Sequence, residues 1–201
     1  MSQAAYTSGP YTSGQGRSCA GCTLCCKLPA IPEIAKPAQT WCGDCAIGQG
    51  CKIYETRPSP CRKFECVYLT SPQLGEHWKP TACHMVIAHQ PRVNRIVIHV
   101  DDTYPDAWTW EPWYGDIQKM AAAIYPKNGQ VLVLGQGVAT AVLPDRHKPL
   151  GPLSDDKVFV TTEAPGPSGP VYDVSLLAEG DPALDTLRKQ AGAVDRTAPA
   201  K

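Results

Sequence analysis

The spacing of its cysteines constrains this chain more than any other feature. Nine of the ten, Cys19, Cys22, Cys25, Cys26, Cys42, Cys45, Cys51, Cys61 and Cys66, fall within 48 residues; Cys83 follows and none comes later. The first group, CAGCTLCC, holds two overlapping CxxC units that end in an adjacent pair. Two residues between thiols let a tight turn aim both sulfurs at one ion, and Zn²⁺ or iron in such sites takes four soft ligands at about 2.3 Å. A single CxxC also suits a thiol-disulfide couple. Adjacent Cys25 and Cys26 do not readily direct both sulfurs at one tetrahedral centre, so they suit different centres. WCGDC adds Cys42 and Cys45, and GCKIYETRPSPCRKFEC adds Cys51, Cys61 and Cys66. Nine thiols exceed one tetrahedral site. Three readings stay open at this point: a structural zinc or iron-sulfur core, a redox or catalytic iron centre, and unligated thiols or disulfides. The CxxCxxC run lacks the three-residue spacer and CP of an ordinary two-cluster ferredoxin, and spacing does not separate Zn²⁺ from a [4Fe-4S] cluster.

The surrounding composition selects among compartments and partners. The first 18 residues carry one charge, Arg17, and no continuous apolar stretch, so they lack the basic start and greasy core of a secretory signal. No apolar run is long enough to span a bilayer. These features predict a cytoplasmic chain with no membrane association, where a reducing environment favours thiols as ligands or redox groups. Nineteen basic and nineteen acidic residues cancel, so no nucleic-acid partner is predicted. The charge is nonetheless uneven: residues 51–100 carry seven basic and three acidic side chains, residues 151–201 five and eight.

Four segments follow from the pattern. Residues 1–18, with the near repeat YTSGP and YTSGQ, read as a flexible tail. Residues 19–90 read as a cysteine-rich metal-binding domain, proline-rich and poor in periodic runs, in which coordination can replace an apolar core. Residues 91–162 read as a small α+β unit: a strand in RVNRIVIHV, a helix in IQKMAAAIY with Ile117, Met120, Ala121 and Ile124 on one face, and strands in GQVLVLGQG and DDKVFVTTE. Residues 163–201 read as a linker, APGPSGP, and an extension with a short helix near Leu176 and Leu177 or over 182–191. The expected fold class is α+β, a small metal-stabilised cysteine module packed against a strand-helix-strand-strand unit.

Other residues invite weighing. Arg57, Arg62, Lys52 and Lys63 could offset thiolate charge or donate to sulfur, or form a solvated basic face; both readings stay open for the two arginines, and the second suits the lysines. Cys83 is a candidate extra ligand; His84 and His89 read as ordinary polar or partly buried histidines, and His77, His99 and His147 lack ligand spacing. Asp101 and Asp102 end the strongest strand without a partnered base, so they read as a strand meeting solvent. Trp108, Trp110 and Trp113 are expected to supply core bulk in a chain with two phenylalanines, the alternative being a binding surface. No zinc-protease, phosphate-loop or dinucleotide motif occurs.

CAGCTLCC, WCGDC, GCKIYETRPSPCRKFEC and the downstream cysteine together resemble the YkgJ-type zinc- or iron-chelating cysteine-cluster domain family, a bacterial family also described among iron-sulfur oxidoreductases. The resemblance covers Cys19 to about Cys83, a third of the chain. It implies metal chelation, with Cys19, Cys22, Cys25 and Cys26 as a first ligand group, Cys42 or Cys45 and Cys51 as a middle group, Cys61 and Cys66 as a last, and Arg57, Pro58 and Arg62 as neighbours. Having Cys42, Cys45 and Cys83 together departs from the eight ligands that the family pattern suggests. The expectation is therefore a metal-binding protein using zinc or an iron-sulfur cluster, with two alternatives: an iron-sulfur oxidoreductase or electron-transfer component with a redox partner, and a metal-stabilised protein-interaction module.

Overall fold

The computed structural model describes residues 16–19 and 21–190, so the expected tail up to residue 15 lies outside the described residues. The chain forms two compact units. The first comprises residues up to 88 together with 99–108; the second comprises 89–98 and the chain from 109 onward. A cysteine-rich unit is thus present, but it borrows a later segment instead of ending near residue 90. The chain carries helices and sheets, as an α+β class requires.

The first unit is built from short pieces because prolines and turn residues interrupt every run. A two-stranded ribbon pairs β1 (Cys45–Ala46) with β2 (Gly50–Cys51). Its turn closes with Gln49 N donating to Ala46 O at 2.8 Å, and Gly48 takes the positive φ of 72° that such a turn demands. Helix α1 (Ser59–Lys63) starts after Pro58, α2 (Val67–Thr70) follows Cys66, and α3 (Pro80–Cys83) stops where His84 turns left-handed at φ 59°. Strand β3 (Met85–Gln90) begins with three buried apolar residues, and β4 (Arg95–Val100) ends in the buried Val100. Both strands are divided between the units.

This unit has an apolar core of its own. Leu28, Trp78, Met85 and Val86 are fully buried, with Tyr68 and Leu69 beside them. The expectation that coordination replaces such a core does not describe the fold. Arg17 belongs to the folded unit as well: its guanidinium donates to the carbonyls of Tyr68, Ser71 and Leu74, pairs with Glu76 and lies over the Tyr68 ring.

In the second unit, helix α4 (Trp113–Ile124) buries Ile117, Ala121 and Ile124, the face expected from the sequence, with Met120 left partly exposed. Gly129 follows because a Cβ there would meet the Ile124 side chain and the Asn94 carbonyl, the latter at 2.8 Å. Strands β5 (Gln130–Gly135), β6 (Val138–Val142) and β7 (His147–Pro152) continue the order β4-β5-β6-β7. Gln136 and Gly137, both at positive φ, make the two-residue turn of the β5-β6 hairpin, a conformation that matches the twist of paired strands.

The segment expected as a linker is instead a hairpin. Strands β8 (Lys157–Gly166) and β9 (Gly169–Ala178) pair along their whole length, from Lys157 opposite Ala178 to Gly166 opposite Gly169, leaving Pro167 and Ser168 as the turn. The prolines that suggested a linker sit at the tip, with Pro165 opposite Pro170, where lost N–H donors cost little in a ribbon end. Leu176 and Leu177 are strand residues opposite Phe159 and Val158, not a helix; helix α5 (Pro182–Gln190) occupies the other expected position. The three tryptophans are not the core bulk. Trp110 is exposed and Trp108 and Trp113 are partly buried, while Tyr125, Phe159 and the aliphatic strand residues fill this core.

Candidate thiol centre

All ten cysteines are free thiols. Eight of them, Cys19, Cys22, Cys25, Cys26, Cys42, Cys51, Cys61 and Cys66, line one cavity of about 600 Å³ in the first unit. Cys25 and Cys26 reach it from the 3₁₀ turn Leu24–Cys26, whose chain is tied to the next group by Cys42 N donating to Cys26 O at 3.0 Å. Cys51 arrives on β2, Cys61 on α1 and Cys66 at the start of α2. Apolar side chains, among them Ile31, Ile53, Pro58 and Phe64, complete the wall. A second space of about 20 Å³, room for one small species, is bordered by Cys19, Cys22, Cys25 and Cys66 with Lys79.

Cys45 and Cys83 stand outside the larger cavity. Cys45 is buried on β1. Cys83 is fully buried at the end of α3, with its sulfur 3.5 Å from the Trp78 carbonyl and 3.4 Å from that of Met85, both as acceptors. Its thiol is therefore spent on main-chain groups.

The thiols of Cys19, Cys22, Cys26, Cys45, Cys51, Cys61, Cys66 and Cys83 are held as neutral groups. Burial pushes Cys66 and Cys83 up to about 12 and Cys45 up to about 11, and it raises Cys19, Cys22, Cys51 and Cys61 as well. Cys26 is raised most, first by its hydrogen bond with Cys25 and then by burial. Three of these thiols also feel their neighbours: Cys22 and Cys19 disfavour ionisation at Cys66, while Cys26 and Cys42 do so at Cys51 and Cys61. Binding a soft cation here means displacing protons from these sulfurs.

Three cations moderate that repulsion: Arg57, Lys36 and, at Cys22, Lys79. Arg57 stacks over the Tyr54 ring with its guanidinium carbon 3.9 Å from the centroid, and it favours ionisation of Cys19 and Cys61 against burial. Its Nε is buried and has no hydrogen-bond partner. A thiolate is the kind of acceptor that this donor lacks. The other basic candidates are exposed: Arg62 donates to the Arg57 carbonyl, Lys52 borders the cavity and donates to the Gly43 carbonyl, and Lys63 does not line the cavity.

The second cation, Lys36, was not singled out by the sequence. It is 6% exposed and its ammonium donates to the carbonyls of Lys27, Pro29 and Pro37 at 3.0, 2.6 and 3.0 Å. Burial pushes its pKa down, and the nearby Cys42, Cys26, Cys61 and Cys25 oppose that. A lysine in a KP turn carries no recognisable signal. Only the turn's shortage of main-chain partners hints at an internal donor.

Among the histidines, His84 stacks on Tyr104 with centroids 3.7 Å apart, His147 contacts Tyr114 through Nδ1 at 3.0 Å, and His77 and His89 are exposed. Among the described residues, no group of three or more His, Cys, Asp or Glu side chains is already drawn together as a set for a metal ion. The donors fit zinc or iron-sulfur chemistry in type and number, around a space wider than a single coordination sphere. No helix among the described residues is long and apolar enough to cross a membrane. In comparisons with known proteins the chain matches no family model, no curated protein and no solved structure.

Proposed function

We propose that the first unit binds zinc or an iron-sulfur cluster through cysteine thiolates, and that the eight thiols of the large cavity are its ligand pool. The observation that carries this reading is their convergence on one space from segments as far apart as Cys19 and Cys66. Eight sulfurs exceed one tetrahedral site, so the pool suits either more than one ion or a polynuclear cluster. Arg57, with its unpartnered buried Nε, supports the same conclusion by supplying a donor to a negatively charged sulfur centre. Cys45 and Cys83 do not line that cavity and are left out of the proposed pool: the Cys45 thiol meets that of Cys26, and the Cys83 thiol meets main-chain carbonyls. Loading draws the thiols inward and releases their protons.

Anaerobic purification of the full chain, followed by elemental analysis, sulfide assay and an absorption spectrum, tests the proposal. Stoichiometric zinc with no broad visible band identifies a structural centre. Iron with acid-labile sulfide identifies the cluster and supports an electron-transfer role with a redox protein partner. A folded chain whose ten thiols all alkylate freely, with no metal bound, would sink the proposal.

A further inference from the structure

Cys45 is the one member of the nine-thiol group that does not line the large cavity, yet it is tied by register to a member that does. In the β1-β2 ribbon Cys45 lies directly opposite Cys51, and Lys52 N donates to Asp44 O at 2.8 Å, one residue outside the pair on each strand. That flanking bond makes Cys45 and Cys51 a non-hydrogen-bonded pair. Such residues have Cα atoms about 4.5 Å apart and side chains on the same face, within the span of a disulfide, about 4.4–6.8 Å between Cα atoms. Cys51 is partly exposed and reachable through the cavity, whereas Cys45 is buried behind it. The pair thus has an accessible thiol and a sheltered one on the same face of a short ribbon.

We propose that Cys45 and Cys51 are an oxidation site, in which a hydroperoxide converts the facing thiols into a cross-strand disulfide and withdraws Cys51 from the ligand pool. The Cys51 thiolate attacks one peroxide oxygen, the O–O bond breaks, and the leaving hydroxide takes a proton to become water, so that Cys51 becomes a sulfenic acid. The Cys45 thiolate then attacks the Cys51 sulfur, the S–S bond forms, and the sulfenic oxygen leaves as a second water with the remaining proton. Two thiols lose two electrons and one hydrogen peroxide is reduced to two waters. The effect on metal rests on the proposed function above; the disulfide itself does not.

The competing partner for Cys45 is Cys26, whose thiol is hydrogen-bonded to it. The test is therefore a mapping experiment on the metal-free, reduced full chain. Stoichiometric hydrogen peroxide is added, free thiols are blocked with a light alkylating reagent, and the protein is reduced and labelled with a heavy one. Heavy label in equal amounts on Cys45 and Cys51, with Cys26 light, is the expected result. Heavy label on Cys45 and Cys26, or light label on Cys45 while other thiols oxidise, would overturn it. With zinc bound, the same treatment should release metal at least fivefold faster from the wild type than from Cys45→Ser. Retention of zinc by chains that carry the disulfide would overturn the withdrawal of Cys51 and leave the pair standing. Failure of the chain to bind metal would remove only the zinc arm.

Discussion

Lys27 Nζ lies 2.7 Å from one Asp101 carboxylate oxygen and 2.8 Å from the other, joining the residue after the adjacent cysteine pair to the end of β4. Asp101 also accepts the Thr103 amide at 2.9 Å, and both side chains are mostly buried, at 17% and 7% exposure. The carboxylate that the sequence left as a strand end meeting solvent is thus the anchor of the cysteine segment. Because removing one member of a buried pair strands the other, Asp101→Asn should cost about 3 kcal/mol. Chemical denaturation of the metal-free chain measures it, and Lys27→Met with Asp101→Leu should recover much of the loss.

Acid should act on the same corner of the first unit. Burial works to raise the Asp101 carboxyl, but the Lys27 hydrogen bond and the Thr103 amide overcome it and hold the group below its ordinary value. Its stabilisation is present above the ordinary carboxylate pKa and is lost as pH falls through the lower, folded value. Burial, helped by Lys36, pushes His99 down to about 4. Its contribution is present above about 6.5 and fades as pH falls toward 4. Thermal unfolding between pH 7 and 3 should show both losses, and His99→Gln should flatten the upper part of the curve alone.

Arg57 offers a test of the thiol cavity. Since its charge favours ionised Cys19 and Cys61, Arg57→Gln should raise the pH needed for metal uptake and weaken affinity by about 10-fold. Arg57→Lys should restore the charge without the Nε donor and recover only part of the affinity. Competition with a chromophoric chelator across pH reads both. Identical affinities for all three proteins would disconnect Arg57 from the site.

The second unit holds a buried cation of a different kind. Arg95, 1% exposed, donates from Nε to Gln130 Oε1 at 2.9 Å and lies over the Phe159 ring, while one terminal nitrogen has no partner; burial pushes its pKa down to about 10. With no carboxylate paired to it among the described residues, Arg95→Met should leave stability within about 1 kcal/mol of the wild type or raise it. Gln130→Ala strips the arginine of its acceptor and should cost about 2 kcal/mol. Denaturation midpoints compare the two.

How much of this was legible in the sequence depended on whether the signal was local. Periodicity placed helix α4, which buries one regular face, and β-branched residues placed the strand that ends at Val100. The cysteine spacing picked out all eight thiols of the cavity, but not that Cys45 is buried outside its lining, which depends on packing and not on spacing. APGPSGP misled because prolines and glycines mark a linker and a ribbon tip alike, and only the partner strand tells them apart. Lys27, Lys36 and Asp101 were invisible as a group: Lys36 is held by main-chain carbonyls, and Lys27 and Asp101 find each other 74 positions apart. The tryptophans were overvalued because bulk was taken for burial.

The interleaving of the two units carries a consequence for how this protein comes into being. The nine clustered thiols leave the ribosome first, yet their unit is closed only by residues 99–108, including the carboxylate that receives Lys27. At about 5–20 residues per second, the nascent chain spends seconds with its sulfurs made and their enclosure still unsynthesised. The newborn protein, not the mature one, is then the form most open to stray oxidants and ions, and the order of synthesis itself sets the interval in which the thiols meet their first partner.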